Sequence, residues 1–201
     1  MATEETLEEN EEVIEETPEV EDINLLNEES EENTMAETEI KKIDRTEWVE
    51  FLNTTPKADV PTWAIVGIGV SDKSTEYNAE VSEEKWIIHK NKMKTVDSYG
   101  LTSGVEQTAY KGDPVFEFVD NIRYKLLTGS EAETTLLEID KYSVTDEGTT
   151  PKYRARLWTI SIEISSNAGD TAKVNYNIHY TGDPTFGTVK FENGIPTFTK
   201  E

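Results

Sequence analysis

The sequence contains no cysteine among its 201 residues. That absence excludes a disulfide framework, a thiol nucleophile and a cysteine-ligated zinc site. Long apolar runs are missing as well: the longest uncharged one, Trp63 to Val70, is too short to span a membrane. The first residues form neither the basic stretch nor the apolar stretch of a secretory signal, so we do not expect one.

Positive charge is scarce and unevenly distributed. Lysine and arginine number 19 against 42 aspartate and glutamate residues, and the net charge is −23. Residues 1–40 hold 17 of the acidic residues and no basic one, whereas residues 41–201 carry a net charge of only −6. This balance disfavours a protein that wraps nucleic acid, because such proteins neutralise phosphates with a basic face.

The chain is therefore predicted to contain two parts. Residues 1–40 combine low hydropathy with self-repulsion, which is typical of a disordered acidic arm. The arm is either a solvated tail or a docking segment in which the apolar cluster Ile23–Leu26 orders on a partner. Residues 41–201 hold all the tryptophan and tyrosine and form one domain, long enough to bury a hydrophobic core.

Strands dominate the structure expected for residues 41–201. Apolar residues alternate with polar ones from 153 to 164 and from 171 to 180, which indicates half-buried antiparallel strands. A further strand is predicted for residues 62–70. Asn193-Gly194 is the signature of a two-residue hairpin turn, and Pro196 confines the strand after it to the edge of a sheet.

Helical patterns are fewer. Asp113 can cap a helix over about residues 114–128, which carries one apolar stripe and which Gly129 is placed to end. A short helix is also expected between Thr46 and Pro56. The predicted fold class is mainly β, with antiparallel sheets in a β-sandwich or barrel-like arrangement and one flanking α-helix.

Candidate catalytic residues are few. His89 lies in a lysine-rich stretch and His179 on the polar face of a predicted strand, without a shared motif. No serine lies in a Gly-x-Ser-x-Gly elbow, and Gly67-Ile-Gly69 lacks the third glycine and the helix of a dinucleotide loop. The sequence therefore predicts no catalytic, cofactor-binding or metal-binding residue, no cofactor and no enzymatic activity.

The densest basic run lies between Ser82 and Val96. A long loop with apolar anchors, and with a charge opposite to that of the remaining surface, is typical of a protein–protein contact. The alternative is an ordinary strand whose Trp86 and Ile88 point into the core. The candidate contact residues are Lys85, Trp86, Ile87, Ile88, Lys90, Lys92, Met93 and Lys94.

Residues 41–201 also contain a series of landmarks. In chain order these are the strand 63–70, Tyr77-Asn-Ala-Glu-Val81, the loop 82–96, a strand through Tyr99 to Tyr110, a helix that opens with Gly112-Asp-Pro, Tyr180-Thr-Gly-Asp-Pro184 and Gly187-Thr-Val189. In these landmarks the domain resembles the major tail tube proteins of bacteriophages with long non-contractile tails. The two Gly-Asp-Pro segments are the most specific of them.

The resemblance implies a β-sandwich with a flanking helix, six copies of which close into a ring by pairing of their sheets. Rings would stack head to tail into the hollow tail tube through which DNA leaves the capsid, without specific DNA binding and without a membrane. The family's long loop reaches the next ring, which implies that role for residues 82–96. The implied partners are further copies of the chain, the tail tip or initiator, the terminator and the tape measure protein. The implied location is the virion, after assembly in the host cytoplasm.

Two other functions fit the same composition. One is a monomeric β-sandwich module that binds a carbohydrate or a host surface through aromatic residues such as Trp86, Tyr99 and Tyr110. The other is a different virion component, such as a tail terminator or a capsid decoration protein. For a tube, we expect the arm to lie outside, because the acidic residues of six arms would repel one another strongly within a narrow channel.

Overall fold

The computed structural model describes residues 40–146, 148 and 150–201. The disordered arm predicted for residues 1–40 lies outside the described residues, apart from Ile40. The strands and the α-helix of the described part are β1 Trp48–Asn53, β2 Trp63–Ile65, β3 Val70–Glu76, β4 Ala79–Glu84, β5 Met93–Tyr99, β6 Thr102–Thr108, α1 Pro114–Lys125, β7 Glu133–Asp146, β8 Lys152–Ala168, β9 Lys173–Glu192 and β10 Ile195–Lys200.

Eight of these strands form one antiparallel sheet. Its order is β2-β1-β7-β8-β9-β6-β3, and β10 pairs with β9 off this path, while β4 and β5 form a separate ribbon. The sheet curves so far that β3, at one end, meets β1, near the other: Lys73 Nζ lies 2.6 Å from Glu50 Oε1. The predicted fold class, mainly β with barrel-like antiparallel sheets and one flanking helix, is confirmed.

The central strands β8 and β9 follow the alternation of apolar and polar residues along the chain. Ile160 and Ile162 of β8 and Tyr176 and Ile178 of β9 are buried, as the period of two predicts. Burial of each such side chain contributes about 1.5–3 kcal/mol to stability. The helix adds Val115, Val119 and Ile122 to the same core. A second, smaller core contains Phe51, Leu137, Ile139, Ala155 and Val189.

The start of α1 is as predicted, but its end is not. The Asp113 carboxylate accepts hydrogen bonds from the backbone N–H groups of Val115 and Phe116, and so caps the helix. The helix ends at Lys125, earlier than the expected 128. Leu126, in a left-handed conformation at φ 52°, forms its C-cap instead of Gly129, which begins a short 3-10 turn.

Two other sequence predictions are wrong in their bounds or type. The segment predicted as a helix between Thr46 and Pro56 is the strand β1, because it pairs with β2 on one side and β7 on the other and buries Phe51 and Leu52. The strand predicted for residues 62–70 is broken into β2 and β3 by a turn, in which Gly69 takes φ 72°.

The end of the described chain is as predicted. Asn193 and Gly194 take φ values of 52° and 81°, the left-handed pair that a tight hairpin turn between β9 and β10 requires. Pro196 lies in β10, which pairs with β9 alone and is therefore an edge strand.

Candidate self-assembly surface

The stretch between Ser82 and Val96 is the outer part of a two-stranded hairpin rather than a long loop. β4 and β5 pair from Ala79 with Tyr99 to Glu84 with Met93. Every residue of β4 is exposed, and so is every residue of β5 except the half-buried Met93. The hairpin therefore stands out from the body with both of its faces in solvent.

The base of this hairpin is fixed to the strands that it leaves. Asn78 Nδ2 donates a hydrogen bond to Gly100 O at 2.9 Å, and Gly100 N donates to Asn78 O at 3.3 Å. The rings of Tyr77 and Tyr99 meet edge to face, with centroids 6.2 Å apart. An isolated two-stranded hairpin is marginally stable in water, so these contacts help to hold its orientation.

We define the tip of the hairpin as residues 85–92, between β4 and β5. It presents three consecutive large apolar side chains to solvent: Trp86 is 54% exposed, Ile88 is 78% exposed and Ile87 is fully exposed. The Trp86 ring stacks on His89 at 5.5 Å, and His89 N donates to Trp86 O. The interpretation that places Trp86 and Ile88 in the core is wrong, because this part of the chain leaves the large sheet.

The four lysines of the hairpin are not equivalent. Lys92 Nζ lies 2.6 Å and Lys94 Nζ lies 2.9 Å from the two carboxylate oxygens of Glu83. Hydrogen bonds from Lys92 and then Lys94 lower the pKa of the Glu83 carboxyl below its usual value. Lys85 and Lys90 form no ion pair within the described part of the chain. The positive charge of the tip that is free to meet a partner therefore resides mainly on Lys85 and Lys90.

This arrangement suits insertion into a protein partner. Full burial of one large apolar side chain in a contact contributes about 1.5–3 kcal/mol, and the tip offers three side by side. Contiguous exposed apolar residues with charged neighbours are typical of interaction sites. The half-buried Met93, at the start of β5, lies next to the tip and extends its apolar part.

The outer face of the strands β6, β8 and β9 is polar. His179 Nε2 lies 2.7 Å from Glu163 Oε2, and Asn177 Nδ2 donates to the same oxygen at 3.4 Å. Both contacts lower the pKa of the Glu163 carboxyl, that of His179 more than that of Asn177. On the adjoining strands Asp72 pairs directly opposite Glu106, so two like charges are neighbours on this face.

A groove of about 680 Å³ opens between β1, β3, β7 and β8. Exposed aromatic rings line it, those of Trp48, Tyr142 and Phe186 among them. Lys73 and Glu50 lie in its wall as a buried ion pair, and the second carboxylate oxygen of Glu50 has no hydrogen-bond partner in the described residues. No local sequence pattern indicates this groove, because its walls come from segments far apart in the chain.

The two histidines lie on different elements. His89 is half-buried against Trp86 at the hairpin tip, and His179 lies on β9 beside Glu163. Within residues 40–146, 148 and 150–201, no cluster of three or more histidine, aspartate or glutamate residues could hold a metal ion. In the same ranges, no helix has the length and apolar character needed to cross a membrane.

No protein-family model and no curated protein matches this chain. Among solved structures, the chain is similar to a chain from the tail of an empty GTA particle with C6 symmetry. The two are 10% identical with a TM-score of 0.46, and the match covers 72% of this chain and 98% of that chain.

Proposed function

We propose that this chain is a structural virion protein, the subunit of a phage tail tube of the long non-contractile type. Six copies close into a ring, rings stack head to tail, and the resulting tube conducts DNA out of the capsid. The single observation that carries the proposal is the β4–β5 hairpin, which presents Trp86, Ile87 and Ile88 to solvent at the end of a fixed ribbon.

The sequence landmarks support the same proposal. The first Gly-Asp-Pro segment opens α1, and the second lies within β9 with Gly187-Thr-Val189. The hairpin of one ring contacts the next ring, as the resemblance implies. Its contact residues are Lys85, Trp86, Ile87, Ile88, Lys90, Lys92, Met93 and Lys94.

Ring closure uses the edges of the large sheet. Among the described strands, β10 pairs only with β9 and β2 pairs only with β1, so each leaves a row of backbone groups available for a neighbouring copy. The polar face with Glu163, Asp72 and Glu106 lines the bore. Carboxylates there offer no cations to DNA phosphates, so DNA passes without being held.

The remaining partners are other tail proteins. A growing tube starts on a tail tip or initiator complex, encloses the tape measure protein and ends at a terminator. The subunit is assembled in the host cytoplasm and resides in the virion. No step in this role requires a catalytic residue, a cofactor or a membrane.

Negative-stain electron microscopy across a protein concentration series tests the proposal. The full chain, residues 1–201, is compared with residues 41–201. A difference in filament formation between the two shows what the predicted acidic arm contributes, and filaments from residues 41–201 show that the predicted domain assembles without it. Hollow filaments of stacked six-fold rings are the expected result. Small particles of one size at every concentration, also after addition of a tail tip complex, would exclude the tube.

A pair of matched variants tests the role of the hairpin. Lys85→Gln with Lys90→Gln removes the free charges of the tip, and we expect the concentration at which tubes form to rise about tenfold, because six tips act together in each ring. Lys92→Gln with Lys94→Gln removes charges that Glu83 already neutralises, and its effect should be smaller. An equal effect of both pairs would contradict a specific role for Lys85 and Lys90.

The groove favours a second candidate function, a monomeric module that binds a carbohydrate or a host surface. Exposed aromatic rings such as those of Trp48 and Phe186 are the type of surface on which sugars stack. Such a module would stay monomeric throughout the concentration series, and its tryptophan fluorescence would change on addition of host-surface polysaccharide.

A further inference from the structure

The hairpin leaves the body at one end of a two-stranded ribbon. β3 and β6 are antiparallel and pair from Val70 with Gln107 to Glu76 with Thr102. The β4–β5 hairpin is inserted between Glu76 and Thr102, so it belongs to that end of the ribbon. The opposite end of the same ribbon, about 20 Å away for a seven-residue strand, consists of the residues just before β3 and just after β6.

That opposite end carries an apolar patch, which we define as Ile68, Gly69 and Tyr110. Ile68 is 49% exposed and Tyr110 is 53% exposed. A Cβ atom at Gly69 would lie 2.8 Å from Cδ2 of Tyr110 and would clash with the backbone oxygen of Thr108. Only glycine fits there, at φ 72°, and its lack of a side chain lets the Tyr110 ring lie against the backbone.

Buried hydrogen bonds fix this patch from below. Gln107 is fully buried, and its Nε2 donates to Ile68 O at 3.1 Å and to Asp113 Oδ2 at 2.8 Å. The Tyr176 hydroxyl donates to Gln107 Oε1 at 3.3 Å. Because Asp113 also caps α1, the loops on both sides of the patch are tied to the helix and to β9. The patch is thus a preformed surface, which lowers the entropy cost of binding.

Charges around the patch complement the tip of the hairpin. Glu117 accepts a hydrogen bond from Gly112 N, next to the loop that carries Tyr110. Asp170 lies in the turn whose Ala172 O accepts from Ala109 N. Lys111 is an unpaired cation on the same loop as Tyr110, and Lys173 after the turn lies 3.9 Å from Glu106, whereas Glu117 and Asp170 form no ion pair within the described residues. At the hairpin tip, Lys85 and Lys90 form no ion pair within the described residues and lie beside the apolar side chains.

We infer that the Ile68–Gly69–Tyr110 patch of one copy receives the hairpin tip of a second copy, an inference that rests on the proposed tube. Ile87 and Ile88 pack on Ile68 and the Tyr110 ring, while Lys85 and Lys90 face Glu117 and Asp170. The hairpin tip and the Ile68–Gly69–Tyr110 patch lie at opposite ends of one ribbon. The contact therefore joins two different surfaces, and it repeats from copy to copy along the direction of the ribbon. A contact of this kind does not close on itself and produces a filament.

Thiol crosslinking tests the contact directly, because the natural chain has no cysteine. The full chain carrying Ile87→Cys and Ile68→Cys is assembled and treated with a short bismaleimide, which joins thiols that a direct disulfide cannot reach. A ladder of covalent oligomers is expected, because each copy has one thiol at either end. The matched control carries Ile87→Cys and Tyr124→Cys, since Tyr124 is 79% exposed but lies near the end of α1. We expect at least tenfold less product above dimer from the control.

Electron microscopy of the same samples separates this inference from the proposed function. Tubes together with the ladder support both. Tubes without the ladder overturn the inference and leave the tube intact. A ladder without tubes supports the head-to-tail contact and counts against the tube, and the absence of both overturns both. As a second readout, Tyr110→Ser should raise the concentration for tube formation at least tenfold, whereas Tyr124→Ser should change it less than twofold.

Discussion

Large apolar side chains and lysine–glutamate ion pairs occur both in the body around β8 and β9 and in the β4–β5 hairpin. In the body they are shielded from solvent, and in the hairpin they are exposed. In the body, alternate residues of each long strand are buried in a core, and the side chains of the Lys73–Glu50 ion pair are largely shielded, with 4% and 14% of their surface exposed. In the hairpin, both faces are exposed, and the Lys92–Glu83 pair lies in water. Apolar residues hold the body together, whereas Ile87 and Ile88 of the tip are largely exposed and bury little within the described residues.

This difference separates residues whose position the fold explains from residues whose position it does not explain. A side chain such as Ile160 is explained by the fold, because it is fully buried. Ile87 is not, because it makes no burying contact within the described residues and carries the solvation cost of an exposed apolar group. In the proposed tube, a second copy of the chain buries it.

The largest expected effect concerns the two ion pairs. Lys73→Met leaves the Glu50 carboxylate buried without a partner, and we expect the free energy of unfolding to fall by about 3–5 kcal/mol. Lys92→Met, at a solvent-exposed pair, should change the free energy of unfolding far less, because water screens the attraction. Denaturant titration followed by tryptophan fluorescence measures both. The double variant Glu50→Leu with Lys73→Met should regain most of the stability, and a loss as large as that of Lys73→Met alone would contradict this explanation.

The next effect compares apolar side chains of similar size. Ile160→Ala opens a cavity in the larger core and should lower the free energy of unfolding by about 2–5 kcal/mol. Ile88→Ala, at the tip, should change it by about 0.5 kcal/mol or less. Denaturant titration followed by tryptophan fluorescence measures both stabilities. At temperatures where both variants are folded, we expect Ile88→Ala to lose tube formation and Ile160→Ala to retain it. A stability loss from Ile88→Ala comparable to that from Ile160→Ala would mean that the tip packs on its own chain.

The smallest effect concerns the pH dependence of the hairpin. Lys92 and Lys94 lower the pKa of Glu83 below that of the unfolded chain, so the ion pairs contribute at pH 7. Their contribution is lost as the pH falls through the folded-state pKa of Glu83. An NMR titration of the Glu83 carboxyl should show this lowered pKa, and Lys92→Gln with Lys94→Gln should raise it towards the usual value. An unchanged midpoint in that variant would disprove the pairing.

Local patterns in the sequence predicted the parts of the fold that depend on neighbouring residues. The alternation in β8 and β9, the Asn193-Gly194 turn and the cap at Asp113 are each set by a few consecutive side chains. The candidate contact surface is a prediction of the same local kind, because lysines and large apolar residues are adjacent between Ser82 and Val96. Each of these features can be predicted from neighbouring residues alone, without the contacts between distant parts of the chain.

What the sequence did not predict depends on distant partners. The residue pattern between Thr46 and Pro56 predicts a short helix, whereas pairing with β2 and β7 makes this segment the strand β1. The neutralisation of Lys92 and Lys94 by Glu83 requires the hairpin register, and the Lys73–Glu50 pair requires the curvature of the whole sheet. The patch at Ile68 and Tyr110 likewise forms only when β3 and β6 pair.

The order of the strands has a kinetic consequence. The hairpin needs only contacts between residues close in sequence, and such contacts form within microseconds. The body needs β9, which pairs with both β8 and β6, and β1 must find β7 across most of the domain. During synthesis the hairpin can therefore pair before the body closes, although a two-stranded hairpin alone is marginally stable. In the proposed tube, newly made chains present the tip before the Ile68–Gly69–Tyr110 patch is complete, so the folding of the body limits when assembly can begin.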